Sequence, residues 1–242
     1  MNTTSKNYSH GRIRIPERSP KGGARLRCSH AIIYEDENLL MIDKPAGVNC
    51  DDFEKRVHRL DKDTSGIFLV AKNDKALDFF QKQFKEREVK KKYLALVVGH
   101  LKNDEGIIET LIGRSPGDRR KQKVYLINEP GSQGKREAKT RYKVLQKFKN
   151  YDLIEVEPET GRKHQIRTHF AYLGHPIAGD EMYGFKNQPC PEGLKRQFLH
   201  ASYLKITLPD GKEKEFKSEL PKDLQITLNE LKSQKSKFKT KT

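Results

Sequence analysis

Residues 58–66 read HRLDKDTSG and set two carboxylates, Asp61 and Asp63, two positions apart ahead of Gly66. Oxygen ligands at alternating positions before a glycine are how an EF-hand calcium loop begins. Such a loop needs a bidentate glutamate at its twelfth position, and Lys72 stands there. A cation in that place repels the metal, and the run after Gly66 reads as a strand instead of an exiting helix. Calcium is excluded. The plain alternative is a turn, with Asp63, Thr64 and Ser65 bonding local amides ahead of the buried strand GIFLVAK.

Histidines gather at His164, His169 and His175. His164 and His169 are five apart, which puts them on different faces of a helix, and no glutamate sits beside them as a general base. A metal site is not expected. In the surrounding stretch, TGRKHQIRTHFAYLGHPIAGDEMYG, Gly161 frees the backbone near a helix start. Arg162, Lys163, His164 and Arg167 then crowd cations into about one turn. Cations at a helix N-terminus oppose the dipole. A phosphate or a carboxylate would complete the arrangement, and Asp61 is available.

The elements that must position these residues alternate along the chain. AIIY, the turn EDEN and LLMIDKP predict a hairpin. After GIFLVAK, Asn73 caps a helix, DKALDFFQKQFKER, whose Leu77, Phe80 and Phe84 share a face. KKYLALVVG returns as a strand, and AKTRYKVLQKF with YDLIEVEP forms a second hairpin around Asn150. KHQIRTHFAYLG is a short helix ended by Gly174. LHASYLKITL and KEKEFKS form a third hairpin, and Pro221 opens a last helix through Leu231. Many hairpins with helices interposed predict an α+β fold around a mostly antiparallel central sheet carrying a cleft.

At 242 residues the chain can bury a real core, and hydrophobic and charged residues each make up 34%. No apolar run approaches the ~20 residues needed to span a bilayer, so no membrane association is expected. No signal-peptide pattern follows Met1, and Cys28, Cys50 and Cys190 form neither a disulfide framework nor a zinc site. A reducing cytoplasm is the expected location. Lys and Arg number 49 against 33 Asp and Glu, a net charge of +16. An excess of this size suits a polyphosphate partner, and with no amphipathic helix to enter a membrane the expected partner is nucleic acid. The twenty Phe and Tyr are enough for a core and for stacking on bases.

The motifs HRLDKDTSGIFLVAKN, KKYLALVVG and GRKHQIRTHFAYLGHPIAGDEMYG, in this order, resemble the RluA-type family of RNA pseudouridine synthases. The flanking MIDKPAG and FLHASYLKI fit the same family, and the likeness covers residues 31–208. It implies isomerisation of uridine to pseudouridine in structured RNA, ribosomal or transfer, without a cofactor and without an obligatory protein partner. Residue by residue, it gives Asp61 the catalytic role, with Asp63 left to the turn. Tyr93 would stack on the uracil, and Arg167 would pair with Asp61 and keep it ionised. Arg59 would enter the base stack from which the target nucleotide is flipped. Arg162 and His164 would hold phosphates or order the site. A non-catalytic RNA-binding protein on the same scaffold would share the charge but has no need of Asp61, Tyr93 and Arg167 together.

The resemblance and composition divide the chain into a basic flexible arm (1–28), a catalytic domain (29–231) and a Lys-rich disordered tail (232–242). Twenty-eight residues cannot hold the S4 domain that family members often carry, which points to the single-domain subgroup. Only the ten residues VNCDDFEKRV separate Gly47 from His58. Relatives usually have a longer segment with a helix there, so either a peripheral helix has been lost or the sequence omits a stretch between Gly47 and His58.

Overall fold

The computed structural model describes residues 32–239, with side chains as far as residue 234. The arm over residues 1–28 lies outside the described residues.

The first expected hairpin is present as β1 (Ile32–Glu35) and β2 (Leu39–Lys44). Its turn is held by Asp36 Oδ1, which accepts the Asn38 and Leu39 amides at 2.7 and 2.9 Å. β3 (Ser65–Ala71) runs antiparallel to β2. α1 (Asp74–Glu86) begins at Asn73, whose side chain accepts the Ala76 amide at 2.8 Å. Its buried Phe80, with Leu77 and Phe84 beside it, packs on β2 and β3. β4 (Lys90–Val98) follows. A hairpin of β5 (Glu105–Arg114) and β6 (Gln122–Tyr125), which the sequence patterns did not single out, then extends the sheet. β7 (Arg136–Lys147) and β8 (Tyr151–Pro158) form the second expected hairpin. α2 (Gln165–Tyr172) precedes the third, β9 (Leu199–Thr207) with β10 (Glu213–Lys217).

α3 (Lys222–Lys239) corrects the sequence reading. The helix does not stop at Leu231 but continues to Lys239, so most of the segment expected as a disordered tail is helical. Nothing in LKSQKSKFK breaks a helix, since lysine is a good helix former and neither Gly nor Pro intervenes.

Among the described residues the strands form one sheet of ten, in the order β1-β2-β3-β9-β4-β8-β7-β5-β6, with β10 on β9. Every pairing is antiparallel except β3 with β9, where Ser65 and Gly66 face His200 and Ala201. That contact explains Gly66: a Cβ there would lie 2.2 Å from the Ala201 carbonyl oxygen, and the residue has φ +112°. β4 alternates between two cores. On one face Ala95 and Val97 meet Ile166 and Phe170 of α2. On the other, Leu96 and Val98 meet Leu224, Leu228 and Leu231 of α3. Each of these Val, Leu, Ile and Phe side chains contributes about 1.5–3 kcal/mol by leaving water.

The short segment before His58 is fully folded. Cys50–Asp52 is a single 3-10 turn, and Cys50, Phe53 and Leu60 pack on Phe68. The chain then runs along β3: the Ala71 amide donates to the Lys55 carbonyl at 2.9 Å, and the Val57 amide to the Leu69 carbonyl at 3.2 Å. His58 completes this edge, its Nε2 accepting the Leu69 amide at 3.0 Å while its ring stacks on Phe84. Burial and the nearby Lys91 push its pKa down to about 3, so the ring is neutral. Its work is structural.

Candidate active site

The sharp turn from Leu60 to Thr64 is held by its carbonyl oxygens. That of Asp61 accepts the Thr64 amide at 3.0 Å. That of Lys62 takes the Gly47 amide at 2.9 Å and the ammonium of Lys44 at 3.0 Å. That of Asp63 accepts from Arg196, whose guanidinium is also forked on Asp223 of α3. Lys44 is fully buried, donates as well to the Pro45 and Val48 carbonyls, and has its pKa pushed down to about 8 by burial. The turn is therefore not held as the sequence suggested, by local bonds of Asp63, Thr64 and Ser65. Asp63 is exposed, while Ser65 bonds His200 and Thr64 bonds Gln197. A turn clamped this way presents Asp61 in one orientation.

Asp61 opens into a cleft of about 560 Å³, and Tyr93, Arg167, Arg59, Arg162 and His164 line the same cleft. All six residues singled out from sequence thus meet there. Asp61 Oδ2 accepts from Arg167 Nη1 at 3.0 Å, the pairing that the resemblance implied. Arg167 is buried on α2, and an arginine there needs a permanent counter-charge. Asp180, buried beyond the helix, supplies it: Oδ2 accepts from Nε at 2.6 Å and Oδ1 from Nη2 at 2.9 Å. Asp180 Oδ1 also takes the Met182 and Tyr183 amides. Burial alone would lower the pKa of Arg167, but Asp180 and then Asp61 raise it above its ordinary value. The guanidinium is a fixed cation between two carboxylates.

His164 lies on the other side of Asp61, Nε2 at 3.8 Å from Oδ1. Its Nδ1 is 2.8 Å from the Tyr183 hydroxyl, and that hydroxyl accepts the Gln122 amide at 2.7 Å. Tyr183 thus holds the ring by Nδ1, and Nε2 is the ring nitrogen turned to Asp61. Burial lowers the His164 pKa, outweighing the attraction of Asp61, so the ring is neutral at pH 7. Tyr183 also lies against the Arg167 guanidinium, 5.0 Å from its ring centre. At the start of α2 the positive φ falls on His164, at 56°, and not on Gly161.

Tyr93 stands half-buried on β4, facing the cleft; among the described residues its hydroxyl has no hydrogen-bond partner. Burial, and then the charge of Asp61, raise its pKa, so the phenol stays neutral. A flat apolar ring beside a carboxylate offers a stacking surface to a planar ligand. Arg59 is exposed at the rim. Arg162 is partly engaged, its Nε donating to the Glu137 carbonyl at 2.7 Å.

Asp180 and Tyr183 were missed in the sequence, although both stand in the stretch that carries Arg167. No sequence spacing pointed to them; the need for Asp180 follows only from the burial of Arg167, which requires a counter-charge. His169, by contrast, is no part of the cleft. It is buried between the Thr110 and Thr140 hydroxyls, with Gln165 bonding Thr140, and the network fastens α2 to β5 and β7. Among the described residues no group of His, Cys, Asp and Glu could hold a metal ion.

The sequence model of the family described as RNA pseudouridylate synthase matches residues 54–172. A Chloroflexus aurantiacus protein named as an uncharacterized RNA pseudouridine synthase is 43% identical over 181 residues, which are 74% of this chain and 54% of that protein. Ribosomal large subunit pseudouridine synthase C of Vibrio parahaemolyticus is 39% identical, over 76% of this chain and 63% of its own length. The chain thus spans between half and two thirds of these curated relatives. Among solved structures, human RNA pseudouridylate synthase domain containing 1 superposes with a TM-score of 0.69 at 30% identity, over 79% of this chain and 83% of that one. Motif order, fold and the convergence of Asp61, Tyr93 and Arg167 in one cleft agree, and this chain belongs to the RluA-type family of RNA pseudouridine synthases.

Proposed function

We propose that this protein isomerises uridine to pseudouridine in structured RNA, with Asp61 as the residue that acts on the flipped-out nucleotide. The observation that carries this reading is the fixed ionic arrangement of the cleft. Arg167 is already paired with Asp180, so its contact with Asp61 orients that carboxylate, and the three side chains together keep one net negative charge among the cations that line the cleft. A charged, oriented carboxylate beside a neutral stacking ring suits a reaction that breaks and remakes a bond between a base and a sugar. Tyr93 holds the uracil, Arg59 takes the place of the flipped base, and Arg162 and His164 order the strand and the carboxylate. No cofactor is needed for an isomerisation in which nothing is oxidised or reduced.

The substrate is ribosomal or transfer RNA, and the relatives named as large-subunit synthases favour ribosomal RNA. The site of action is the cytoplasm. Free thiols at Cys50 and Cys190, and the lack of any membrane-crossing helix among the described residues, are consistent with that.

The test is release of tritium from RNA labelled at uracil C5, since only the new carbon–carbon bond expels that atom. Asp61→Asn keeps the shape and removes the charge; it should fold, bind RNA and release no tritium. Asp63→Asn, on an exposed side chain whose backbone carbonyl makes the hydrogen bond to Arg196, should retain activity. Release by Asp61→Asn at the native rate would refute the mechanism. No release by the unaltered protein, across total RNA lacking the modification, would favour the non-catalytic RNA-binding alternative.

A further inference from the structure

Four non-glycine residues among those described have positive φ: Arg87 at 65°, Asn128 at 69°, His164 at 56° and Asn187 at 60°. Asparagine and histidine are enriched in that region, and arginine is not. Arg87 and His164 both line the cleft. His164 is accounted for by Tyr183 and Asp61. Arg87 ends α1, where glycine is the ordinary residue, in a turn closed by the Glu88 amide on the Gln83 carbonyl at 3.0 Å. Strain of this kind gathers where a side chain is needed. What arginine adds here is direction, because its guanidinium reaches towards β7, 4.0 Å from Glu137 Oε2.

Other cations surround it. Lys91 of β4 lies over the Phe84 ring, 5.9 Å from its centre. Arg136 opens β7, and Arg162 is tied to the Glu137 carbonyl; all of them line the cleft with Arg87. The nearby carboxylates do not balance them. Glu137 is the weakly engaged, 81% exposed partner of Arg87, and Glu159 is taken by Arg141 and Lys139. The crowding registers on the groups themselves. Burial, then the charges of Arg136 and Arg87, lower the pKa of Arg162, and burial with Arg87 pushes Lys91 down to about 8.

We propose that Arg87, Lys91, Arg136 and Arg162 form a cradle for backbone phosphate of the RNA strand whose target nucleotide lies against Asp61. This rests on the reading of the cleft as an RNA site. Guanidinium forks suit phosphate oxygens, and an anion placed among the four relieves their mutual repulsion. Phosphate contacts fix register without reading sequence. Losing the cradle should therefore lower affinity and leave the choice of uridine unchanged.

Arg87→Gly is the telling variant, because glycine suits the backbone better than arginine does. Thermal stability should stay level or rise while affinity for a fluorescein-labelled RNA hairpin falls. The slope of log affinity against log salt should drop by roughly 0.9 per lost contact on duplex, or ~0.7 on single strand. Arg136→Gln should act in the same direction. The paired change of Lys90→Gln and Lys217→Gln, in the polar groove on the opposite face of the sheet, should lower the slope less. Unchanged affinity and slope in Arg87→Gly, or an equal flattening by the Lys90 and Lys217 changes, would overturn the cradle, as would failure of the native protein to bind the hairpin at low salt. Native protein that binds with these effects but releases no tritium from total RNA would leave the cradle standing and remove the catalytic reading alone.

Discussion

Asp61 is flanked by one permanent cation and one neutral imidazole, and with Asp180 they form a small ionic group at the floor of the cleft. Arg167 contributes one positive charge, Asp61 and Asp180 one negative charge each, and neutral His164 none, which leaves one net negative charge. Arg167 can hold Asp61 in place because Asp180 fixes two of its nitrogens first. Arg167→Lys keeps the charge but cannot fork on Asp180 and reach Asp61 together. Turnover should fall by about 100-fold or more, since misplacement by an ångström costs on that order. RNA affinity should fall only a few-fold. Single-turnover rates beside equilibrium binding check this, and an equal fall in both would make Arg167 an RNA contact only. At this scale residue type and motif singled out Asp61, Tyr93 and Arg167, which the fold brings to one cleft. The sequence was silent on Asp180, which lies 13 residues beyond Arg167 and meets it through the turn after α2, so no helical spacing links the two.

Among the elements, hairpins and caps were legible because their signals are local: the Asn73 cap, the Phe80 face, the turn at Asn150. β5 and β6 were not. β5 carries a glycine near each end and leaves Ile107 exposed, so its alternation is weak. The buried histidines could not be told from site histidines by spacing either, and they carry a consequence for pH. Burial pushes the pKa of His169 to about 4, and burial with Lys91 pushes that of His58 to about 3, both from an ordinary 6.5. Between pH 6.5 and about 4 the unfolded chain binds protons at these sites and the folded chain does not. Stability therefore falls as pH falls through that window, by up to about 1.4 kcal/mol per pH unit for each ring. Urea midpoints measured from pH 7 to 4.5 should show this, and His169→Gln should shallow the slope by about one proton. An unchanged slope in that variant would contradict the assignment.

Over the whole molecule the dominant property is the charge of +16, and much of it lies outside the cleft. Composition alone made this visible, because it needs no knowledge of which residues meet. Residues 232–242 carry five lysines and no acid. The helix that begins this segment extends α3 beyond Leu231, the last of its side chains in the core. Removing 232–242 should leave the fold intact, weaken RNA binding and flatten its salt dependence by at most ~0.9 per lysine. The modified uridine should stay the same. Mapping pseudouridines after the deletion tests this, and a shifted target would show that the segment selects the site.

The place of β9 gives the fold an order in time. β3, which follows Asp61, and β4, which carries Tyr93, are joined through α1 but do not pair with each other; β9 lies between them. A ribosome delivers both of those strands more than a hundred residues before it delivers Leu199–Thr207. Until then each presents an open edge to any passing strand, and the contacts still owed are of long sequence separation, which slows folding. The spacing between Asp61 and Tyr93 is thus set by a strand that arrives long after both of them. A nascent chain holds every residue of the motif around Asp61 long before it holds a cleft.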